Sequence, residues 1–368
     1  MTTVNGYQQS DREGELHFFN VDDLRKQTEQ ILPRGGFAYI EAGAEEEWSL
    51  KENTRAFYDY GIISHVLTGK SNPDLHTTFF GKEVNTPIIL PPLAAHGLAN
   101  SGAEVATARG AAMAGAVMGF STYGNSDFSE VAAENKGFPQ VFGLYLNKDW
   151  DLNKRMLEEA HDNGVSAIML TADATVGGYR ERDMRAGFSY PVPMKILEKY
   201  SQDGSGKTVF DLYNEAAQEI TPEDIQRLSE MADLPVIVKG VMSSEDAEMA
   251  IQAGAKGIYV SNHGGRQVDG TPAPITVLPE IAKTVNHRVP VIMDSGVRRG
   301  SHVFKALALG ADFVGIGRPF MYGLANGGAE GVREVIEYFN KELSIDMQLT
   351  GATTIEAIKK TTLRDLKK

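Results

Sequence analysis

The chain has 368 residues, 42% hydrophobic and 23% charged, and its 36 basic and 49 acidic side chains give a net charge of -13. The apolar share is ample for a large core, and the length suits one barrel-type domain with extensions. The acidic balance argues against a nucleic-acid binder, no apolar run approaches the roughly 18 residues that span a bilayer, and the absence of cysteine removes disulfides, thiolate catalysis and Cys-ligated zinc.

Residues 1–15 are polar and read as a loose tail. They lack the basic start and greasy middle of a signal peptide, so a cytoplasmic home is expected. Helical patterning begins at Val21-Asp22-Asp23-Leu24 and closes at Ile31-Leu32 before Pro33. Two more helices are expected over 36–42 and 46–58. Together they make residues 1–84 an N-terminal cap.

From about residue 85 a rhythm of short apolar runs and helix-like stretches sets in. The first four runs are Pro87-Ile88-Ile89-Leu90, Val117-Met118-Gly119-Phe120, Val141-Phe142-Gly143-Leu144 and Ala167-Ile168-Met169-Leu170. The second four are Val236-Ile237-Val238, Gly257-Ile258-Tyr259-Val260, Val291-Ile292-Met293 and Phe313-Val314-Gly315-Ile316. Continuous runs of this length fit parallel strands buried on both faces. Helices are expected over 103–114, 152–163, 222–232, 244–253 and 301–308. Thr221-Pro222-Glu223 and Ser243-Ser244-Glu245 carry helix-start signals. Eight strand–helix units predict a TIM (β/α)8 barrel.

The long interval between the fourth and fifth runs predicts a lid over residues 175–220, with Tyr190, Phe210 and Tyr213 as apolar anchors. The whole chain is then one domain. Its parts are the cap, a barrel over 85–345 that includes the lid, and a C-terminal extension over 346–368.

Chemistry in such a barrel belongs at the C-terminal strand ends. Polar and ionisable residues gather there: Ser121-Thr122-Tyr123, Tyr145, Thr171-Ala172-Asp173, Lys239, and the loop from Ser261 to Arg266. After strands 7 and 8, Gly296 and Gly317 permit close backbone approach, and Arg298 and Arg318 supply guanidinium forks suited to a phosphate. Lys239 ends a buried strand and needs an anionic partner or a pocket mouth. A Schiff base, a cofactor counter-charge and a plain salt bridge all satisfy that need. His263 with an aspartate partner, Asp173 two strands away, makes a general base whose imidazolium is stabilised. Arg180 and Arg266 beside it suit a substrate carboxylate.

Ser261-Asn262-His263-Gly264-Gly265-Arg266-Gln267 resembles the signature of the FMN-dependent L-α-hydroxy acid oxidases. Leu170-Thr171-Ala172-Asp173, residues 235–240, Asp294-Ser295-Gly296-Val297-Arg298-Arg299-Gly300 and Gly315-Ile316-Gly317-Arg318-Pro319 follow that family in order, from about Phe19 onward. Within it, residues 92–99 and 171–182 are most similar to the bacterial members that act on L-lactate.

The resemblance implies FMN as cofactor. It implies Lys239 at the flavin N1/O2 edge, Ser121 and Thr171 at its pyrimidine ring, the Leu93-Ala94 backbone near N5, and Ser261 as a further contact. Asp294, Gly296, Arg298, Gly317 and Arg318 would hold the ribityl phosphate. Arg180 and Arg266 would clamp the substrate carboxylate with Tyr39 and Tyr145. Tyr123 would sit near the substrate hydroxyl, Tyr190 and Tyr213 in the lid, and His263 with Asp173 would be the base. The implied partners are a small L-2-hydroxy acid and O2, with a 2-oxo acid and H2O2 as products. No metal, nucleic acid or membrane is implied, and similar enzymes are homotetramers.

One residue departs from the pattern. Gly143 stands where similar enzymes carry Gln. The expectation is weaker FMN binding, by about 0.5–1.5 kcal/mol for one lost hydrogen bond, and tighter binding in Gly143→Gln. The rival readings are a quinone-linked dehydrogenase, a monooxygenase-type reaction (Ala94 speaks for the oxidase type) and a non-redox flavin barrel.

Overall fold

Eight strands close into a parallel barrel in a computed structural model that describes residues 1–200, 206–214 and 216–367. They are β1 (Ile88–Leu93), β2 (Val117–Ser121), β3 (Gln140–Leu144), β4 (Ala167–Thr171), β5 (Val236–Val241), β6 (Gly257–Val260), β7 (Val291–Met293) and β8 (Phe313–Gly315). Each pairs in parallel with its sequence neighbour, and β8 pairs with β1. This is the expected TIM barrel, with every apolar run in its expected order. Ile89, Val117, Val141, Ala167, Met169, Ile237, Tyr259, Ile292 and Phe313 fill the bore as a packed core. Phe79 and Val84, from a hairpin just ahead of β1, join the same cluster.

Two ladders break where the sequence forces them to. The β1 register shifts between Leu90 and Leu93, across Pro91-Pro92, which have no N–H to give. The β5 register shifts between Lys239 and Val241 at Gly240, whose φ is +105°. Both breaks lie at the C-terminal rim, where they turn the chain toward the mouth.

The cap helices are α1 (Val21–Ile31), α2 (Arg34–Glu41) and α3 (Trp48–Arg55). Asn20 caps α1 by accepting from Asp23 N at 3.1 Å. The third helix stops short of the expected Tyr58, and residues 56–59 tighten into a 3-10 turn. The helices at Ala103–Ala114 and Pro222–Ala232 have the expected bounds, the latter opened by a Thr221/Asp224 capping box.

Three expectations need correction. The N-terminal tail is docked, because Tyr7 Oη donates to Leu98 O at 2.8 Å and Gln9 Nε2 to Gly97 O at 2.7 Å. Those buried bonds hold a short hairpin, Thr2–Val4 with Tyr7–Gln9, on the barrel. A helix at Pro274–Val285 was not foreseen, because Pro279 inside it hid the periodicity. The C-terminal boundary at 345 also fails. A helical segment, Gly317–Thr350, runs through it, bent at Gly327 and Gly328.

The lid packs over the mouth through α4 (Glu181–Arg185), α5 (Lys195–Tyr200) and α6 (Val209–Tyr213). Tyr190 and Tyr213 are buried there, with Met194, Ile196 and Leu212. Residues 201–205, residue 215 and the Phe210 side chain lie outside what is described. A last label, α7, denotes Gly317–Thr350.

Candidate active site

The strand ends, α2 and the lid enclose one cavity of about 970 Å3, counting its open mouth. From β1 come Pro91, Pro92, Leu93 and Ala94, and from the cap Tyr39 and Ile40. Of the other expected residues, Tyr123, Tyr145, Arg180, Tyr190, Tyr213, Lys239, His263, Arg266, Asp294, Gly296, Arg298, Gly317 and Arg318 stand on its wall, and Asp173 stands behind it. Ser295 and Val297, from the motif after β7, also line it, and so do Leu212 and Met321, which sequence reading did not name. No charge or motif marks Leu212 or Met321.

The centre of the cavity is His263. Its Nδ1 lies 3.1 Å from Asp173 Oδ1, and its Nε2 lies 3.3 Å from the Tyr145 hydroxyl. The network assigns the ring proton to Nδ1, where it is donated to the carboxylate. Nε2 is then left to accept from Tyr145. Lys239 Nζ stands 3.4 Å from Nδ1 and 3.9 Å from Asp173 Oδ2, an oxygen with no hydrogen-bond partner.

The local chain explains how these groups meet. A Cβ on Gly240 would lie 2.3 Å from Asp173 Cβ, so only glycine there lets Asp173 reach across to Lys239. His263, Gly264 and Gly265 all have left-handed φ, at +58°, +68° and +73°. For histidine this conformation costs about 1–3 kcal/mol, which the surrounding bonds must offset. Ser261 Oγ accepts from His263 N at 3.1 Å, and Asn262 exchanges amide bonds with Asn53 at 2.9 and 2.7 Å.

These contacts set the protonation states. Burial lowers the His263 imidazole, the Lys239 ammonium lowers it further, and Asp173 offsets only part of this. Burial alone would raise Asp173, but Lys239 and then His263 outweigh it and hold its carboxyl below the usual value. Burial, with Tyr213 and Asp173 nearby, pushes the Tyr145 phenol well up, so it remains a donor.

The arginines divide into two kinds. Arg266 donates through Nη1 to Tyr39 O at 2.7 Å and Ala42 O at 2.8 Å. Arg318 donates to the carbonyls of Ile40, Glu41, Ala42 and Gly264. Both therefore cap the C-terminal carbonyls of α2. Burial, with Arg266 adding, brings Arg318 down to about 10, so it stays cationic at neutral pH. Arg180 and Arg298 are less committed. Arg298 Nη1 reaches only its neighbour's carbonyl, Val297 O, at 2.9 Å. Arg180 has its Nε 3.1 Å from Asp183 Oδ2. Both candidate carboxylate binders approach the Tyr39 ring, with Arg180 Cζ 5.4 Å and Arg266 Cζ 4.8 Å from its centroid. Tyr190 donates to the Tyr39 hydroxyl at 2.8 Å.

Three expected cofactor contacts are not on the cavity wall. Ser121 Oγ accepts from Tyr123 N at 3.2 Å, and Ser261 Oγ is taken up by His263 N. Thr171 is buried beside Lys239 in the β4–β5 register.

Packing argues against the expected gain from Gly143→Gln. A Cβ at 143 would fall 2.5 Å from Pro92 Cβ and 2.7 Å from Pro92 Cγ. The space that a glutamine would enter is filled by the proline of the β1 break.

A sequence model of the FMN-dependent dehydrogenase family matches residues 28–365. An L-lactate oxidase of Lentilactobacillus hilgardii is 52% identical over 368 residues, covering 100% of both chains. One of Lactobacillus jensenii is 50% identical over 362 residues, covering 98% of this chain and 89% of its own. Among solved structures, a lactate oxidase from Pediococcus acidilactici matches with a TM-score of 0.96 and 51% identity over 100% of both chains.

The packing at residue 143 yields a prediction. Gly143→Gln should lower the thermal melting point, in line with an overpacking penalty of about 1–3 kcal/mol, and should not raise flavin content. A variant with an unchanged melt and a smaller flavin dissociation constant would contradict the packing argument.

Proposed function

The chain belongs to the FMN-dependent dehydrogenase family, and from that premise we propose that it is an L-2-hydroxy acid oxidase whose substrate is L-lactate. The observation that carries the reading is the His263–Asp173 pair at 3.1 Å, with His263 on the wall of one cavity with Arg180 and Arg266, both close to the Tyr39 ring.

The cavity suits FMN on its own terms. It offers an apolar shelf at Pro91, Pro92, Leu93 and Ala94, a buried ammonium at Lys239, and guanidinia at Arg298 and Arg318. A Cβ on Gly317 would rest in ordinary van der Waals contact with Leu93 and Pro91, at 3.6 and 3.7 Å, so the backbone there borders the apolar shelf. Arg298, Arg318, Asp294, Gly296 and Gly317 would hold the phosphate and ribityl chain, and Lys239 with the Leu93-Ala94 backbone the ring. When bound, FMN supplies the acceptor for the substrate's two electrons and the route by which they reach oxygen.

The chain's own residues do the rest. Arg180 and Arg266 bind the lactate carboxylate, since paired guanidinia match its geometry. Tyr39, Tyr190 and Tyr213 are buried on the cavity wall and would flank the substrate's side chain. The Tyr145 hydroxyl directs the substrate toward Nε2 of His263. That nitrogen receives the proton released on oxidation, and a base so placed serves removal from either oxygen or carbon. Asp173, ionised and bonded to Nδ1, stabilises the imidazolium as it forms. Lys239 balances negative charge at the cavity floor. The products are pyruvate and hydrogen peroxide.

We also read the assembly as a homotetramer and the compartment as the cytoplasm. Trp48 at the start of α3 and Val176, Tyr179 and Val268 on nearby loops are exposed, the segments joined by Glu45 N to Tyr179 O and by Gln267 Nε2 to Val176 O. A second copy is the occupant that such a face suits. Among the described residues no helix is long and apolar enough to cross a membrane, and the sequence carries no cysteine.

Anaerobic L-lactate should bleach the yellow purified protein, and in air it should give pyruvate and peroxide in equal amounts. His263→Gln should stay yellow and bleach at least a hundredfold more slowly, in keeping with a general-base contribution of about 10²–10⁴. Near-normal bleaching in that variant refutes the base assignment, and acetate with carbon dioxide in place of peroxide refutes the oxidase reading. In a lysate of the native cells, the activity should be in the soluble fraction at about four times 40.1 kDa. Activity in the membrane pellet, or at the mass of one chain, contradicts the compartment or assembly reading.

A further inference from the structure

Arg266 and Arg318 show what a buried guanidinium does in this cavity when no carboxylate holds it. Both turn to the carbonyls at the end of α2. Arg180 does not. It is only 5% exposed, it sits at the start of α4, and among the described residues its one ion pair is with Asp183, three residues on. No hydrogen bond from its Nη atoms to the protein occurs among those residues. Its edge is thus left for the cavity that it lines.

Asp183 is the unexpected half of the pair. It is 7% exposed, and neither carboxylate oxygen receives an aligned hydrogen bond. A carboxylate buried without donors is costly, and it is tolerated beside an opposite charge that would itself be costly alone. The α4 turn brings the two together, since residues three apart share one helix face.

We infer that Asp183 is a positioning residue for the oxidation. It holds the Nε side of Arg180 beside the Tyr39 ring, so that the Nη edge points at the substrate carboxylate instead of at backbone carbonyls. It does not touch the substrate. This rests on the reading of Arg180 as a carboxylate binder in an L-lactate oxidase. Two effects oppose each other when the Asp183 charge is removed. The cavity becomes more positive, which favours an anion, and Arg180 loses its tether, which misplaces the fork. The tether dominates, because carbonyl acceptors lie within reach to capture a loose guanidinium, as Arg266 and Arg318 demonstrate.

The test uses the holoenzyme, with oxalate as a non-reacting carboxylate probe. In Asp183→Asn, flavin content should match wild type. The KM for L-lactate and the oxalate Kd should each rise about tenfold, and kcat should fall by less than about threefold. Arg180→Lys should itself weaken oxalate, and adding Asp183→Asn to it should change little more, since both act through one contact. If Asp183→Asn fails to fold, Asp183→Glu, which keeps the charge but lengthens the tether, should show the same rise in KM. A KM within twofold of wild type, or penalties that add fully in the double variant, overturns the inference. A wild-type enzyme that neither binds oxalate nor oxidises L-lactate overturns the functional reading instead.

Discussion

A neutral imidazole has to survive among buried cations, and most of the site follows from how that is arranged. His263 lies 3.4 Å from the Lys239 ammonium, which disfavours a second positive charge. Asp173 prevents this from becoming prohibitive. It fixes the ring through Nδ1, leaves Nε2 without a proton and facing the Tyr145 hydroxyl, and in the proposed reaction would supply the negative charge that an imidazolium needs. Gly240 is what permits Asp173 to come so close, and the left-handed turn at residues 263–265 is what points the ring into the cavity. Backbone strain and charge placement thus serve one atom, Nε2.

The same cavity gathers Arg180, Arg266, Arg298 and Arg318 with Lys239, against Asp294 on its wall and Asp173 and Asp183 beside Lys239 and Arg180. Ions removed from water need partners, and here the protein supplies too few carboxylates. The carbonyls at the end of α2 take up Arg266 and Arg318 for the present. In the proposed reading, a phosphate at one end and a carboxylate at the other would complete the balance. On this view α2 is more than a cap, since its last turn links the two anion sites.

Much of this was legible in the sequence. Continuous apolar runs gave the eight strands, because strands buried on both faces need no alternation. The strand-end rule then brought Asp173, Lys239, His263 and the arginines to one rim. What stayed hidden has physical causes. The helix at Pro274–Val285 was masked by an internal proline, and the docked tail by polar residues whose partners, Gly97 and Leu98, lie far away in the chain. The absence of glutamine at 143 suggested a lost hydrogen bond. In fact the position is filled from β1 by Pro92, and no pairing rule reveals a neighbour's proline. Asp183 carried a weak signal, an acid three residues after Arg180.

The account stands or falls on the charge state of His263. Its lowered proton affinity keeps it deprotonated, and so able to accept a proton, at pH values where an ordinary imidazole would already be charged. The pH dependence of kcat/KM for L-lactate reads this directly, because its acid limb reports the free enzyme's base. The limb should fall below the ordinary imidazole value of about 6.5. A limb above about 7 would mean that Asp173 outweighs Lys239 and burial, and would contradict the account.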